Sequence, residues 1–359
     1  MRTATRSVRI YPELRAAQVQ RDSRLTPAEG WFFSRNYDLP AADVPEHFVA
    51  MTTRSAMRAV ARGDVRLLEV PELLWARELP RTVAVLVVHK ICTRGPSRRV
   101  FYAIENNDPR RALFGMRSLP KPAVTLALAL VGGTARLLVD AIAFGSRGAQ
   151  QSYEALPFLR RVRSALIEEL PGRPTTHVPG SSGRRGAIFV GALEARKGIA
   201  ELQAAWEQVE LALPGEVLTI VGDGPLSDDV LTWARGNADR RKVMGRLPHA
   251  RVAELLRESA VLVAPSRRDG RWREQIGLPI KEALAAGVTV VSTSDTGLSS
   301  WLAAHGHLIA DGTDRALSDA VATALSQPLD PQAVVAALPT VDGRIVADRW
   351  LRVGQENAR

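Results

Sequence analysis

Arg273-Glu274-Gln275-Ile276-Gly277-Leu278-Pro279-Ile280-Lys281-Glu282-Ala283-Leu284-Ala285-Ala286-Gly287, followed at once by Val288-Thr289-Val290-Val291, decides how this chain is read. The pattern predicts a loop, a short helix and then a strand. Pro279 fits the first helical position, where its missing N–H costs nothing, and Gly287 fits the left-handed residue just past the helix end. Between them Ile280, Ala283 and Leu284 form an apolar stripe, yet Glu282 lies one turn in. A carboxylate in such a segment requires partners. Glu274, eight residues upstream, falls on the loop entering the N-terminus of the same helix, where free amides and the helix dipole favour an anion. One short segment therefore presents two carboxylates around an anion site.

Working outward, the residues before and after this stretch alternate strand and helix. Strands are expected at 187–190, 217–221, 242–244, 260–264 and 288–292, with helices at 199–211, 228–235 and 250–259. That spacing suits right-handed βαβ units and a parallel sheet. Upstream, 171–186 (PGRPTTHVPGSSGRRG) lacks apolar period and reads as a linker. The first half alternates less cleanly. Strands are expected at 7–10, 47–51, 65–70, 99–104 and 140–144 and a helix at 53–62. Residues 79–91 are ambiguous, and the forty residues after Ile10 show no clean periodicity. The chain from Asp314 on reads as two or three helices. Domain boundaries follow at 1–172, a linker at 173–186, a second domain at 187–335, and a terminal helix within 336–359 that crosses back to the first domain.

With 359 residues, 46% hydrophobic and 24% charged, the chain is globular and long enough for two cores. The single cysteine, Cys92, excludes a disulfide framework and a thiolate metal cluster. No export signal is visible in MRTATRSVRIYPELR, and the expected location is the cytoplasm. The longest apolar run, from Ala123, meets Arg136 and Asp140 and reads as a packed helix. The net charge of +10 is uneven: residues 1–175 carry 27 Lys and Arg against 16 Asp and Glu, residues 176–359 carry 21 against 22. An Arg-rich composition throughout is the plain explanation. A first domain that meets an anionic surface, acceptor or nucleic acid is the functional one.

Several motifs bear on chemistry. FVGALEARKG at 189–198 places Gly191 after a strand and Arg196-Lys197-Gly198 before a helix, a backbone that approaches a phosphate with cations to neutralise it. An exposed basic loop fits equally well. VGDGP at 221–225 is a strand-to-glycine turn. Taken in order over residues 187–305, FVGALEARKG, LTIVGDGP, VMGRLPHARVAELLRESAVLVAPS and REQIGLPIKEALAAGVTVVSTSDTGL resemble the donor domain of the retaining GT-B glycosyltransferases of family 4. Glu274 and Glu282 meet that family's Glu-x7-Glu pattern, with Gly277-Leu278 inside it.

The resemblance implies an α/β GT-B fold, two Rossmann-like domains facing across a cleft. It implies that Lys197 binds a diphosphate, Glu282 ribose hydroxyls and Glu274 a hydroxyl of the donor sugar. Gly277 and Leu278 would offer amides to the phosphates, with base contacts near Gly245 and Arg246. Ala192 stands where the family has an Arg, for which Arg196 is the candidate substitute. The basic segment RRDGRWR at 267–273 is expected to reach the acceptor or the donor phosphates. In the first domain Glu105 is the candidate acceptor-orienting group or base, an Asx-type turn through Asn106 and Asn107 being the alternative. His305-x-His307 is expected on a surface loop.

The reaction implied is retaining, metal-independent and free of cofactor, moving a sugar from a nucleoside diphosphate to an acceptor hydroxyl in glycan, glycolipid or glycoconjugate biosynthesis. The basic first domain suggests an anionic or lipid-linked acceptor and contact with the inner face of the membrane. Two alternatives remain: a pseudo-enzyme that binds a nucleotide sugar or a partner without transfer, and a nucleic-acid-binding protein. Against the second stand the scarce aromatics among the arginines and the lack of a helix-turn-helix, zinc or RNP-type signature; nucleic acid is not an expected partner.

Overall fold

In the computed structural model, residues 6–353 are described except 177, 179, 181, 182, 312 and 313, so the expected linker lies partly outside the described residues. The chain divides into two compact units. One is formed by the residues up to Glu168 together with those from Arg344 on, the other by Glu169–Gly343.

The first unit holds seven strands: β1 (Arg6–Leu14), β2 (Glu29–Arg35), β3 (Phe48–Ala50), β4 (Val65–Glu69), β5 (Arg98–Ala103), β6 (Ala141–Phe144) and β7 (Arg163–Leu166). They lie in the order β3-β2-β1-β4-β5-β6-β7, every neighbour parallel. The second unit holds β8 (Ala187–Val190), β9 (Leu218–Val221), β10 (Arg241–Gly245), β11 (Val261–Ala264), β12 (Thr289–Ser292) and β13 (Leu308–Ile309) in the order β10-β9-β8-β11-β12-β13, again parallel. Each sheet runs outward from its first strand and then reverses to the other side, as a Rossmann sheet does. Central strands packed on both faces must be apolar throughout. The four residues of β6, Ala-Ile-Ala-Phe, are all buried. Phe101, Ile142, Phe144 and Tyr153 build one core, Trp206, Ile220, Val263 and Val291 the other.

The region without periodicity is ordered. Beyond β1 come a helix at Ala16–Asp22 and β2. Its pattern is hidden because polar residues occupy interior positions: Arg9 in β1 is 2% exposed, and Asp22 is buried. The ambiguous segment is a helix, Leu79–Cys92, with proline in its first turn.

Arg9 is the hub of a buried charge network. Its guanidinium donates to Glu69 at 2.9 Å, to Asp348 at 2.7 Å and to Asp22. Arg344 also pairs with Glu69, and Asp348 accepts from the Thr26 amide at 3.0 Å. Arg344 and Asp348 belong to the helix Gly343–Arg352, so these charges fasten the end of the chain to β1 and β4. Burial disfavours the Glu69 carboxylate, but Arg344 and Arg9 outweigh it and hold the group below its ordinary range. Removing one member of such a cluster leaves a buried charge uncompensated. Arg344→Met is therefore expected to cost about 3–5 kcal/mol in urea unfolding; a loss below about 1 kcal/mol would contradict this role.

Candidate functional site

Where a parallel sheet reverses direction, the loops from two adjacent strands part and leave a crevice at the strands' C-terminal ends. In the second unit that point lies between β8 and β11, and the loops that follow them carry most of the residues singled out from sequence. Gly198 has φ 75°, and a Cβ there would stand 2.1 Å from the Pro265 carbonyl oxygen. Only glycine permits this approach. The Arg267 amide donates to the Arg196 carbonyl at 2.9 Å and joins the loops a second time.

This closure sets Lys197 against Glu274. The ammonium donates to Glu274 Oε2, and Ser266 Oγ donates to the same oxygen at 3.1 Å. The two side chains of the pair are 18% and 15% exposed. Trp272 lies against both cations, its ring centre 5.0 Å from Lys197 Nζ and 4.4 Å from the Arg196 guanidinium. It is placed there by a two-residue hairpin in which Asp269 and Trp272 exchange backbone hydrogen bonds of 3.0 and 2.7 Å. Gly270, with φ 54°, supplies the positive φ that the first turn position favours. Further on, Gly277 (φ 81°) turns the chain into the helix Leu278–Ala285; Ile280 and Lys281 donate to the Gly277 carbonyl at 3.0 and 3.2 Å and Pro279 has no N–H, so Leu278 carries the helix's first amide hydrogen. Pro279 stands second in that helix, one place later than expected, and Gly287 has φ 73° just past its end.

Glu282 occupies a different environment. Its carboxylate lies 3.5 Å from His249 Nδ1 and lines a cavity of about 230 Å³ with Ala253, Leu256, Arg257 and Ala285. Burial pushes its pKa up, His249 acting in the opposite sense. Gly245 (φ 63°) ends β10 and accepts from the Gly222 amide at 2.9 Å, while Arg246 is exposed. Gly191 follows β8, and a Cβ on Gly222 would stand 1.8 Å from its carbonyl oxygen, so these glycines serve close packing of two loops.

Three arginines of the basic segment are engaged within the unit. Arg267 pairs with Glu201, and Arg268 and Arg273 lie 3.8 and 3.3 Å from Asp295. These side chains anchor the loop to its neighbours. Arg196 pairs with Glu194 as well as stacking on Trp272. Ser266, Trp272 and His249 were given no role from sequence. A tryptophan inside an arginine-rich loop was the available signal for one of them. Of the two histidines placed on a surface loop, His305 is exposed but His307 is buried. His307 Nδ1 accepts from the Val290 amide at 3.0 Å, and burial lowers its pKa to about 4.

In the first unit, Glu105 follows β5 and is buried. Its Oε1 accepts from the Asn107 amide at 3.0 Å and from Asn107 Nδ2 at 2.8 Å, closing the turn. Beneath it lies a carboxyl that sequence reasoning missed. Glu72, after β4, accepts from the amides of Ile104 (3.3 Å) and Glu105 (3.1 Å) and from the Tyr153 hydroxyl (3.1 Å). Burial, and next the charge of Glu105, push Glu72 up to about 8. It therefore holds a proton at neutral pH.

Comparison with known proteins bears on the fold and on part of the second unit. Residues 184–327 match the family model of glycosyl transferases group 1. Glycogen synthase of Mycobacterium tuberculosis is 34% identical over 113 residues, 31% of this chain and 26% of that protein, so the matched stretch spans about a quarter of the relative's length. Anabaena HepE in complex with UDP superposes with a TM-score of 0.66 at 14% identity, covering 96% of this chain and 95% of that one. The lipopolysaccharide outer core galactosyltransferase WaaB superposes with a TM-score of 0.66 at 12% identity over 97% and 100%. The fold is GT-B: two Rossmann-like domains, each a parallel sheet with alternating helices.

Two measurements probe these charges, one in each unit, without a ligand. In a double-mutant cycle on Lys197→Met and Glu274→Gln, the combined stability loss should differ from the sum of the single losses by about 0.5–3 kcal/mol. Additive losses would show that the pair is not coupled. Glu72 has a folded pKa of about 8, above the unfolded carboxylate value of about 4.3. The native state therefore binds a proton that the unfolded state has lost, and stability falls as pH rises between those values. Between pH 5 and pH 8, on the order of 1 kcal/mol per pH unit, the wild type should lose stability by a term that Glu72→Gln lacks, whatever the variant's absolute stability. Equal slopes would refute the assignment.

Proposed function

We propose that this chain is a retaining glycosyltransferase of family 4, which moves a sugar from a nucleoside diphosphate to an acceptor hydroxyl in glycan, glycolipid or glycoconjugate biosynthesis. The observation that carries the proposal is the Lys197–Glu274 pair at the C-terminal ends of β8 and β11, with Gly277 opening a helix just beyond, all inside the segment matched to group 1 glycosyl transferases. A cation and a helix N-terminus suit a diphosphate, and a carboxylate suits hydroxyls. A nucleotide-sugar donor is further supported by HepE, whose structures hold UDP and UDP-glucose.

In this reading Lys197 and the amides of Gly277 and Leu278 receive the diphosphate, and Arg196 supplies the second cation where Ala192 lacks one. Glu282 holds the ribose, Gly245 and Arg246 border the base, and Glu274 shares Lys197 with a hydroxyl of the sugar. As the bond from the anomeric carbon to the phosphate oxygen breaks, negative charge grows on the leaving group. Lys197 and the helix amides then bind the transition state more tightly than the ground state. The acceptor oxygen forms its bond on the face the diphosphate leaves, and its proton passes to a leaving phosphate oxygen. Retention follows. No metal or other cofactor is assigned to this step, and chelation should leave the rate unchanged. Glu105 is assigned to orient an anionic or lipid-linked acceptor, and the working location is the cytoplasm. A binding protein without transfer is the second reading, favoured by the engagement of Arg196 with Glu194 and Trp272.

Purified protein, a panel of nucleoside diphosphate sugars and NMR of the product test the proposal. A product with the donor's anomeric configuration is expected. Glu282→Ala should weaken nucleotide binding about 10- to 100-fold, whereas Glu274→Ala should slow transfer with less effect on the bare nucleotide. An inverted product would refute the mechanism, and equal, negligible effects of both substitutions would refute the roles.

A further inference from the structure

The helix Lys121–Leu138 in the first unit is apolar on two opposite sides. One side packs inward through Val124, Val131, Gly132 and Ala135. A Cβ on Gly132 would stand 1.9 Å from the Pro157 carbonyl oxygen, so the helix is seated firmly on the unit. At about 100° per residue, Leu126, Leu130 and Leu137 fall opposite that side. They are 62%, 63% and 66% exposed. A surface helix of a water-soluble domain ordinarily carries polar residues there. The loop before the helix adds Met116 and Leu119, and Ile91 at the end of the helix Leu79–Cys92 is also exposed. These two helices are neighbours, since Lys90 Nζ donates to the Leu137 carbonyl.

The two stretches of sequence that carry this stripe hold basic residues and no acids, with Arg81 paired to Glu78 and Arg99 to Asp140. Pro109 to Val139 contains Arg110, Arg111, Arg117, Lys121 and Arg136 and no Asp or Glu. Leu79 to Ile104 contains Arg81, Lys90, Arg94, Arg98 and Arg99, again without an acid. Arg117, Lys121, Arg136, Lys90 and Arg94 are exposed. The helix has the length and composition of a membrane-crossing segment, but its inner side belongs to the core with Val131 and Ala135, which ties it to the surface of the unit. A second copy of the chain would set cation against cation.

We propose that this face, Met116 to Leu137, docks the protein on an anionic lipid bilayer, with the leucines in the acyl boundary and the cations among the headgroups. Apolar area and attraction to anionic lipid act together in such interfacial helices. Each cation near the surface strengthens partitioning about fivefold. This inference stands apart from the transferase reading, because none of its residues belongs to the donor site.

Sedimentation of the full chain with vesicles tests it. The wild type should bind vesicles of phosphatidylcholine and phosphatidylglycerol, bind phosphatidylcholine alone far more weakly, and be released as salt is raised. Leu126→Gln with Leu130→Gln, and separately Arg117→Glu with Lys121→Glu, should each lower partitioning at least about tenfold while the thermal midpoint stays put. In folded protein carrying Leu130→Trp, the new indole emission should shift to the blue on anionic vesicles. The proposal is overturned if the wild type stays in solution with anionic vesicles or if the leucine variant binds as the wild type does. It is equally overturned if ultracentrifugation shows a dimer that the leucine substitutions dissolve.

Discussion

The approach of the Gly198 backbone to the Pro265 carbonyl is the constraint on which the candidate site depends. The order of the second sheet reverses between β8 and β11, so the loops that follow these strands lie side by side at the same edge. They close on each other only because residue 198 has no side chain and takes a positive φ. Once they close, Lys197 pairs with Glu274, and Trp272 lies against the Lys197 ammonium. An ion pair of this kind, partly buried and steadied by Ser266, is a poor source of stability but a good way to hold two charges in a fixed geometry.

The two units use charge differently. In the first, Arg9, Glu69, Arg344 and Asp348 are buried together and fix the terminal helix. A few residues away, Glu72 keeps its proton and supports the backbone at Glu105 from below. In the second, Arg267 of the loop before Glu274 pairs with Glu201 and Arg268 and Arg273 lie beside Asp295, while Lys197 and Arg196 pair with Glu274 and Glu194 and lie against Trp272. Along the chain, most of the basic excess of the first half falls in residues 79–139, ten Lys and Arg against two Asp and Glu, the stretch that carries the exposed leucines.

How much of this was legible in the sequence depended on whether the local pattern and the tertiary environment agreed. Around Glu274 to Gly287 they agree: a proline in the first turn, a glycine with positive φ past the end, and apolar residues at helical spacing mark the helix. The parallel strands of the second unit were readable for the same reason. Between Ile10 and His47 they disagree, because Arg9 and Asp22 sit in interior positions and interrupt the apolar rhythm. The partners of Glu282 and Glu105 were not legible either. His249 and Glu72 lie 33 residues away in each case, and a single sequence carries no signal for such a pairing. The anchoring of the arginine-rich loop likewise depends on Asp295, which only the packing of β11 against β12 brings near.

The central claim, that Lys197 and Glu274 mark a site for a nucleoside diphosphate, is tested most directly by thermal unfolding of the purified chain with UDP, GDP and ADP in turn. A ligand that binds only the folded protein raises stability by about 2.7 kcal/mol at a hundredfold excess over its Kd. The account predicts that at least one of the three raises the midpoint of the wild type and that Lys197→Ala abolishes the rise. If no nucleoside diphosphate moves the wild-type midpoint, or if the rise persists undiminished in Lys197→Ala, the site has been misread.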